Sequence, residues 1–182
     1  MIKPYIKIDG VPSFKDSEIM ALWSRSRQEG FADNLFFDIE GMNESLFFEI
    51  MQSDKCWLFV IYNDDKQLCG FSWLTDFRGS KANGHFALFK GFRGKEGVKL
   101  VTQTCRDILS IKNDGGRYLF DVIVGATPVS NKPACFLSDQ MQKAWGKHCD
   151  IGVVRDYLYD YKENALIDAK LCYFRREERE GA

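Results

Sequence analysis

Apolar positions change their period several times along the chain, and the changes divide it into helical and extended segments. After a short extended start, Ile19, Met20, Leu22 and Trp23 recur at helical spacing. Asp16 and Ser17 precede them as N-cap candidates, and Gly30 closes the segment. A second short helix begins near Asn43, with Leu46, Phe47, Ile50 and Met51 on one face. The linker between them, from Phe31 to Met42, carries Phe36 and Phe37, placed either to cover a cleft or to pack on the core.

From Cys56 the pattern becomes extended. Cys56 to Tyr62 is a continuous apolar run rich in β-formers, and Gln67 to Asp76 follows a polar turn, so the two form a hairpin. Arg78 to Gly84 reads as a loop and His85 to Phe89 as a third strand. A glycine-bearing turn from Gly91 to Gly97 leads into an amphipathic helix with Val98, Val101, Cys105, Ile108 and Leu109 on one face. Asn113 to Gly116 ends it. Tyr118 to Ala126 is the next strand, and residues 132 to about 146 the next helix, stopped by Gly146. Strands from Asp150 to Tyr161 and from Ala165 to Arg175 close the chain as a hairpin.

The resulting order is α-α-β-β-β-α-β-α-β-β. One mixed sheet with helices on both faces is the simplest arrangement that buries these elements, so the expected class is α/β, in the α+β mixed-sheet sense. The 182 residues suit a single domain, 1–182, with 175–182 as a solvated tail of mixed charge.

Composition narrows the function. Lys and Arg total 25 against 26 for Asp and Glu, so no electrostatic footprint for nucleic acid is expected. No apolar run nears the ~18 residues that span a bilayer, so no membrane partner is expected either. Six cysteines without a C-x-x-C pair, and no apolar leader after Met1, point to a reduced, cytoplasmic setting. His148 adjoins Cys149, but no further ligands stand at metal spacing, so no metal is assigned.

The stretch from His85 to Leu109 carries the chemistry. A helix N-terminus presents unpaired N–H groups and partial positive charge, which together bind anions. Glycines let a ligand approach the backbone closely, and Arg93 and Lys95 add charge. A plain βα connection has the same composition. The turn lacks the Gly-Lys-Ser/Thr ending of a P-loop and the full glycine fingerprint of a dinucleotide fold, which argues against a nucleotide-binding domain.

With its element order, the run from Phe89 to Val98 resembles the GNAT superfamily of N-acetyltransferases. In that family a three-stranded meander after two helices leads into an Arg/Gln-x-x-Gly-x-Gly/Ala turn that holds the coenzyme A pyrophosphate. The resemblance covers about residues 15 to 175. It implies an acyl-CoA N-acyltransferase fold with acetyl-CoA held by Ala87, Phe89, Arg93, Gly94, Lys95, Glu96, Gly97, Val98 and Asn131. Glu96 and Val98 depart from the family's small residues, and a carboxylate beside a pyrophosphate is repulsive unless it points away.

The resemblance also implies a base on the third strand, where His85 stands, and an acid about seven residues beyond the Asn, where Ser138 stands in place of the usual Tyr. His85 is otherwise an edge histidine after a loop. Tyr157, with Tyr159 and Tyr161, is a substitute acid or simply packing. Asp121 either holds a substrate amine or is a hydrogen-bonded carboxylate. The expected activity is acetyl transfer from acetyl-CoA to a primary amine of a small molecule or peptide. A GNAT-like binding or assembly module without turnover is the alternative. The compact, aromatic-rich style is similar to acetyltransferase-like proteins of bacterial viruses and prophages. The exposed last hairpin could pair two subunits as a homodimer.

Overall fold

The computed structural model describes residues 1–145 and 150–176. Its elements are β1 (Ile2–Pro4), β2 (Lys7–Ile8), β3 (Val11–Pro12), α1 (Asp16–Gln28), α2 (Ala32–Leu35), α3 (Glu44–Gln52), β4 (Trp57–Tyr62), β5 (Leu68–Arg78), β6 (Lys81–Leu88), α4 (Lys95–Leu109), β7 (Val122–Pro128), α5 (Lys132–Trp145), β8 (Asp150–Asp160) and β9 (Ala165–Arg175). The expected order is present, with β1, the β2–β3 ribbon and the one-turn α2 added.

Seven strands form one mixed sheet in the order β1-β4-β5-β6-β7-β9-β8. All neighbours are antiparallel except β6 and β7. Strand alternation divides the apolar runs between two cores. Leu58, Val60, Phe71 and Trp73 pack with Ile19, Trp23 and Phe47 from α1 and α3 on one face. Phe59, Ile61, Leu74 and Ile123 pack with Val101, Ile108 and Met141 from α4 and α5 on the other. The continuous hydrophobicity of β4 is thus that of a strand covered on both sides.

Several boundaries differ from the sequence expectation, each for a local reason. The N-cap of α1 is Lys15, whose N–H bonds the Glu18 carboxylate at 2.7 Å, rather than Asp16 or Ser17. Asp16 instead accepts from Gln52 of α3 at 3.1 Å. The expected loop from Arg78 to Gly84 is only a tight turn at Gly79 and Ser80, and β6 starts at Lys81 rather than His85. Gly84 has a different task from turning the chain: a Cβ there would lie 2.4 Å from Ile123 Cγ2, so glycine lets β7 approach. Strand β7 begins at Val122 rather than Tyr118, which forms an isolated bridge with Lys112.

Arg175 and Arg176, expected to begin a solvated tail, are fastened instead. Arg175 pairs with Val122 in the sheet, and the Arg176 N–H bonds the Asp121 carbonyl at 2.8 Å. The helix stop at Gly146, the His148–Cys149 pair and the tail from Glu177 lie outside the described residues. Among the described residues no helix is long and apolar enough to cross a membrane.

Candidate active site in the split sheet

Among the described residues the only parallel pairing is brief. Strands β6 and β7 pair at Lys81–Val122, Ala82–Ile123 and Asn83–Val124. Beyond Asn83 and Val124 they separate, while β6 stays paired to β5 as far as Leu88 and β7 to β9 as far as Pro128. The sheet therefore splits between two strands that are each anchored on their outer side. Antiparallel pairing engages the main chain of alternate residues. The Phe89 N–H bonds the Cys69 carbonyl at 2.9 Å, so the intervening residues Phe86 and Leu88 turn their amides toward the split. The Leu88 carbonyl accepts from Arg93 Nε at 3.0 Å.

A cavity of ≈ 110 Å³ occupies the split. Its walls come from Gly84 to Phe86 of β6, Gly125 to Pro128 of β7, Asn34, Leu35 and Phe37 at α2 on one face, and Ala134, Leu137 and Ser138 of α5 on the other. It thus reaches both sides of the sheet. A second cavity of ≈ 270 Å³ shares Asn34, Phe37, Pro128 and Asn131 with it and reaches Ser130 and Asp160. The aromatic linker serves both purposes raised by the sequence. Phe36 is buried against Trp73, with ring centroids 5.1 Å apart, and Phe37 lines the cavity.

His85 is half-buried opposite Trp73 on β5, and the two rings stack at 4.8 Å with an 8° tilt. Its Nε2 lies 3.0 Å from Thr75 Oγ1. Burial holds the imidazole down at about 4 rather than 6.5, with the Asp76 carboxylate opposing in part. The ring is therefore neutral near pH 7. Ala87 and Phe89 lie on the same face, as alternation requires, and both are buried in the α1–α3 core.

On the opposite wall, Asn131 caps α5: its Oδ1 accepts the Ala134 N–H at 3.2 Å. Ser138 is buried and donates to Cys172 Sγ at 3.3 Å. Cys172 borders the cavity too, and Gly125 keeps it close, since a Cβ at Gly125 would sit 3.0 Å from the sulfur.

The glycine turn follows β6, so the N-terminus of α4 opens at the same end of the sheet as the split. Gly94 is the N-cap, with φ 76° and ψ −142°, a conformation glycine alone adopts readily, and no side chain caps the helix. Gly97 is buried; a Cβ there would come within 2.7 Å of Leu88 Cδ1 and 2.8 Å of the Phe92 carbonyl. Lys95 and Glu96 are exposed in the first turn, and Val98 packs against the α4–α5 core. Arg93 turns back from the helix mouth: besides the Leu88 carbonyl it meets Glu29 at 3.7 Å and lies 4.9 Å over the Phe31 ring. Glu29 also pairs with Arg25 at 3.0 Å and accepts the Lys90 N–H, tying the turn to the end of α1.

His85, Asn131 and Ser138 are thus gathered around one cavity, with the Gly94–Val98 turn at the same sheet end. Tyr157 is not brought to them. It is 49% exposed on the edge strand β8, beside the bulge between Val154 and Leu158, and is not among the residues that line the cavity. Asp121 precedes β7 at the far end from the cavity and pairs with Arg176 at 2.7 Å. That guanidinium, then a hydrogen bond to Ser80, holds its carboxyl below the usual range. The wall residues Asn34, Trp73 and Cys172 were missed from sequence. Only the aromatic density around Asn34 hinted at any of them.

A mixed sheet with one parallel pair that splits, and a helix mouth beside the split, is the architecture of the GNAT N-acetyltransferases. Solved structures share it over nearly the whole chain. Spermidine N-acetyltransferase from Vibrio cholerae, in complex with CoA and spermine, superposes with a TM-score of 0.61 at 14% identity, covering 96% of this chain and 95% of that one. Ribosomal-protein-S5-alanine acetyltransferase from Vibrio fischeri gives 0.59 at 15% identity, covering 99% and 94%. An N-acetyltransferase from Staphylococcus aureus gives 0.56 at 15%, covering 96% and 97%. At these identities the likeness establishes the fold. No protein-family model matches the chain, and no curated protein matches it in sequence.

Proposed function

We propose that this chain is an acyl-CoA-dependent N-acyltransferase that moves an acetyl group from acetyl-CoA to a primary amine. The observation that carries the reading is the split between β6 and β7, which joins His85 on one face of the sheet to Ser138 on the other through a single cavity. The uncapped mouth of α4 fits a diphosphate: Gly94 leaves open space above it and no side chain occupies the cap. Lys95 adds a cation there, while the Glu96 carboxylate weakens the site. The V. cholerae relative with CoA bound supports acetyl-CoA as the donor here.

The thioester supplies an acyl group activated toward attack by an amine. The amides of Phe86 and Leu88 face the split and are placed to polarise its carbonyl. The apolar lining from Leu35, Phe37 and Trp73 favours the uncharged amine. Neutral His85 accepts a hydrogen bond from that amine, orients its lone pair and takes its proton as the bond forms. A weakly basic imidazole suffices, because an attacking nitrogen becomes far more acidic as positive charge develops on it. Ser138 is the hydroxyl available to relay a proton to the departing thiolate, taking one from solvent as it gives its own, while His85 returns the amine's proton to solvent. Asn131 fixes the start of α5 and so the position of Ser138.

The test is thiol release from acetyl-CoA across a panel of primary amines. The wild type should release thiol in proportion to product, and His85→Ala should lose about a hundredfold in kcat with the acetyl-CoA KM little changed. Unchanged turnover in His85→Ala would refute the role of the base. A binding module without turnover is the second reading. It is favoured by Arg93 being engaged with Glu29 and by Glu96 at the helix mouth. Coenzyme A binding without thiol release from any amine would select it.

A further inference from the structure

We infer that Thr75 is a positioning residue for His85: its hydroxyl oxygen accepts the Nε2–H and fixes the ring in the tautomer whose Nδ1 is left unprotonated for the substrate amine. The inference rests on the proposed role of His85 as the base and adds the group that makes the base competent. Strand register places Thr75 two residues beyond Trp73, which lies opposite His85, so Trp73, Thr75 and His85 share one face of the sheet. The stack on Trp73 fixes the plane of the ring, and the 3.0 Å contact with Thr75 fixes its rotation within that plane. The bulge that follows Thr75, with Asp76 in a left-handed conformation, ends regular pairing beside this contact.

A threonine hydroxyl can donate or accept, so the distance alone does not choose the tautomer. The surroundings of the other nitrogen do. Among the described residues the only hydrogen bond of the His85 ring is the one to Thr75. The ring borders the cavity together with Trp73, Leu35 and Phe37, so with the proton on Nδ1 that N–H would have no hydrogen-bond acceptor among the described residues. Orphaned donors are the rarer and costlier case. With the proton on Nε2, the donor is satisfied by Thr75 and the bare Nδ1 accepts from the amine. The charged group that acts on the ring is Asp76, held by Asn83 Nδ2 at 2.9 Å; its charge, after burial, also helps to raise the Asp38 carboxyl. Its carboxylate is bonded to Asn83 and not to the ring, so it is no acceptor for an Nδ1–H.

The chain has two histidines, so ¹⁵N-histidine labelling gives two spin systems, and His148→Gln assigns them. The expected result near pH 7 is a neutral His85 with the proton on Nε2. In Thr75→Val, which keeps shape and removes the acceptor, that preference should collapse to a mixture. In Thr75→Ser it should persist. Turnover should follow: a loss of about tenfold or more in kcat for Thr75→Val, little change in the acetyl-CoA KM, and recovery in Thr75→Ser. A melting temperature for each variant separates positioning from lost stability. An Nδ1–H tautomer in the wild type, or an unaltered tautomer in Thr75→Val, overturns the inference. Because the spectrum reads the tautomer without turnover, a fully active His85→Ala would remove the base assignment while leaving the tautomer result to stand or fall separately.

Discussion

Neutral His85 ties stability to pH. Its folded pKa is about 4 against 6.5 in the unfolded chain, so between those values the unfolded state binds the extra proton. Stability contributed by the neutral ring is complete above about pH 6.5 and is lost as the pH falls toward 4. A gap of about two and a half pH units corresponds to roughly 3 kcal/mol at most. At pH 5 the loss is about 2 kcal/mol, or roughly 4–8 °C in melting temperature for a chain of this size. The ring retains some solvent contact, so these are upper values. The assay is urea unfolding of wild type and His85→Gln at pH 7, 6 and 5. The carboxylates titrate in both proteins, so the difference between them isolates the imidazole. The wild type should lose about 1–2 kcal/mol more than the variant between pH 7 and 5. Parallel curves would refute the claim that His85 is desolvated against Trp73 and held neutral.

Three further outcomes follow from the packing around the site. Gly97→Val forces a side chain onto Leu88 and the Phe92 carbonyl, so it should cost about 1–3 kcal/mol in chemical unfolding and weaken coenzyme A binding; unaltered stability would show that the turn has room. Tyr157→Phe should leave turnover within about twofold, because the residue stands on the β8 bulge away from the cavity, and a large loss would reinstate it as the acid. Cys56, whose thiol burial pushes up to about 12, should resist alkylation in the native protein at pH 8, and prompt labelling there would contradict its burial.

The layers of the fold were legible because hydrophobic period survives without tertiary information. The α4 stripe and the two-sided β4 run each matched an element. Glycine was harder to interpret. Gly84 suggested a loop because turns and close strand approach both select glycine, and only the 2.4 Å approach of Ile123 separates them. The site was partly legible by position: His85, Asn131 and Ser138 stand at spacings that the fold gathers. Arg93 looked like a phosphate ligand because its partner Glu29 lies at the end of a distant helix. Thr75 and Trp73 gave no signal at all, since their roles arise from strand register against His85.

The central claim is that the amides at the mouth of α4 grip the diphosphate of an acyl-CoA. Calorimetric titration of acetyl-CoA into the wild type and Glu96→Gln tests it directly. The predicted result is one saturable site in the wild type, tightened about two- to fivefold when the exposed carboxylate at the helix mouth is neutralised. No binding up to about 1 mM, or equal affinity in the two proteins, would contradict the account.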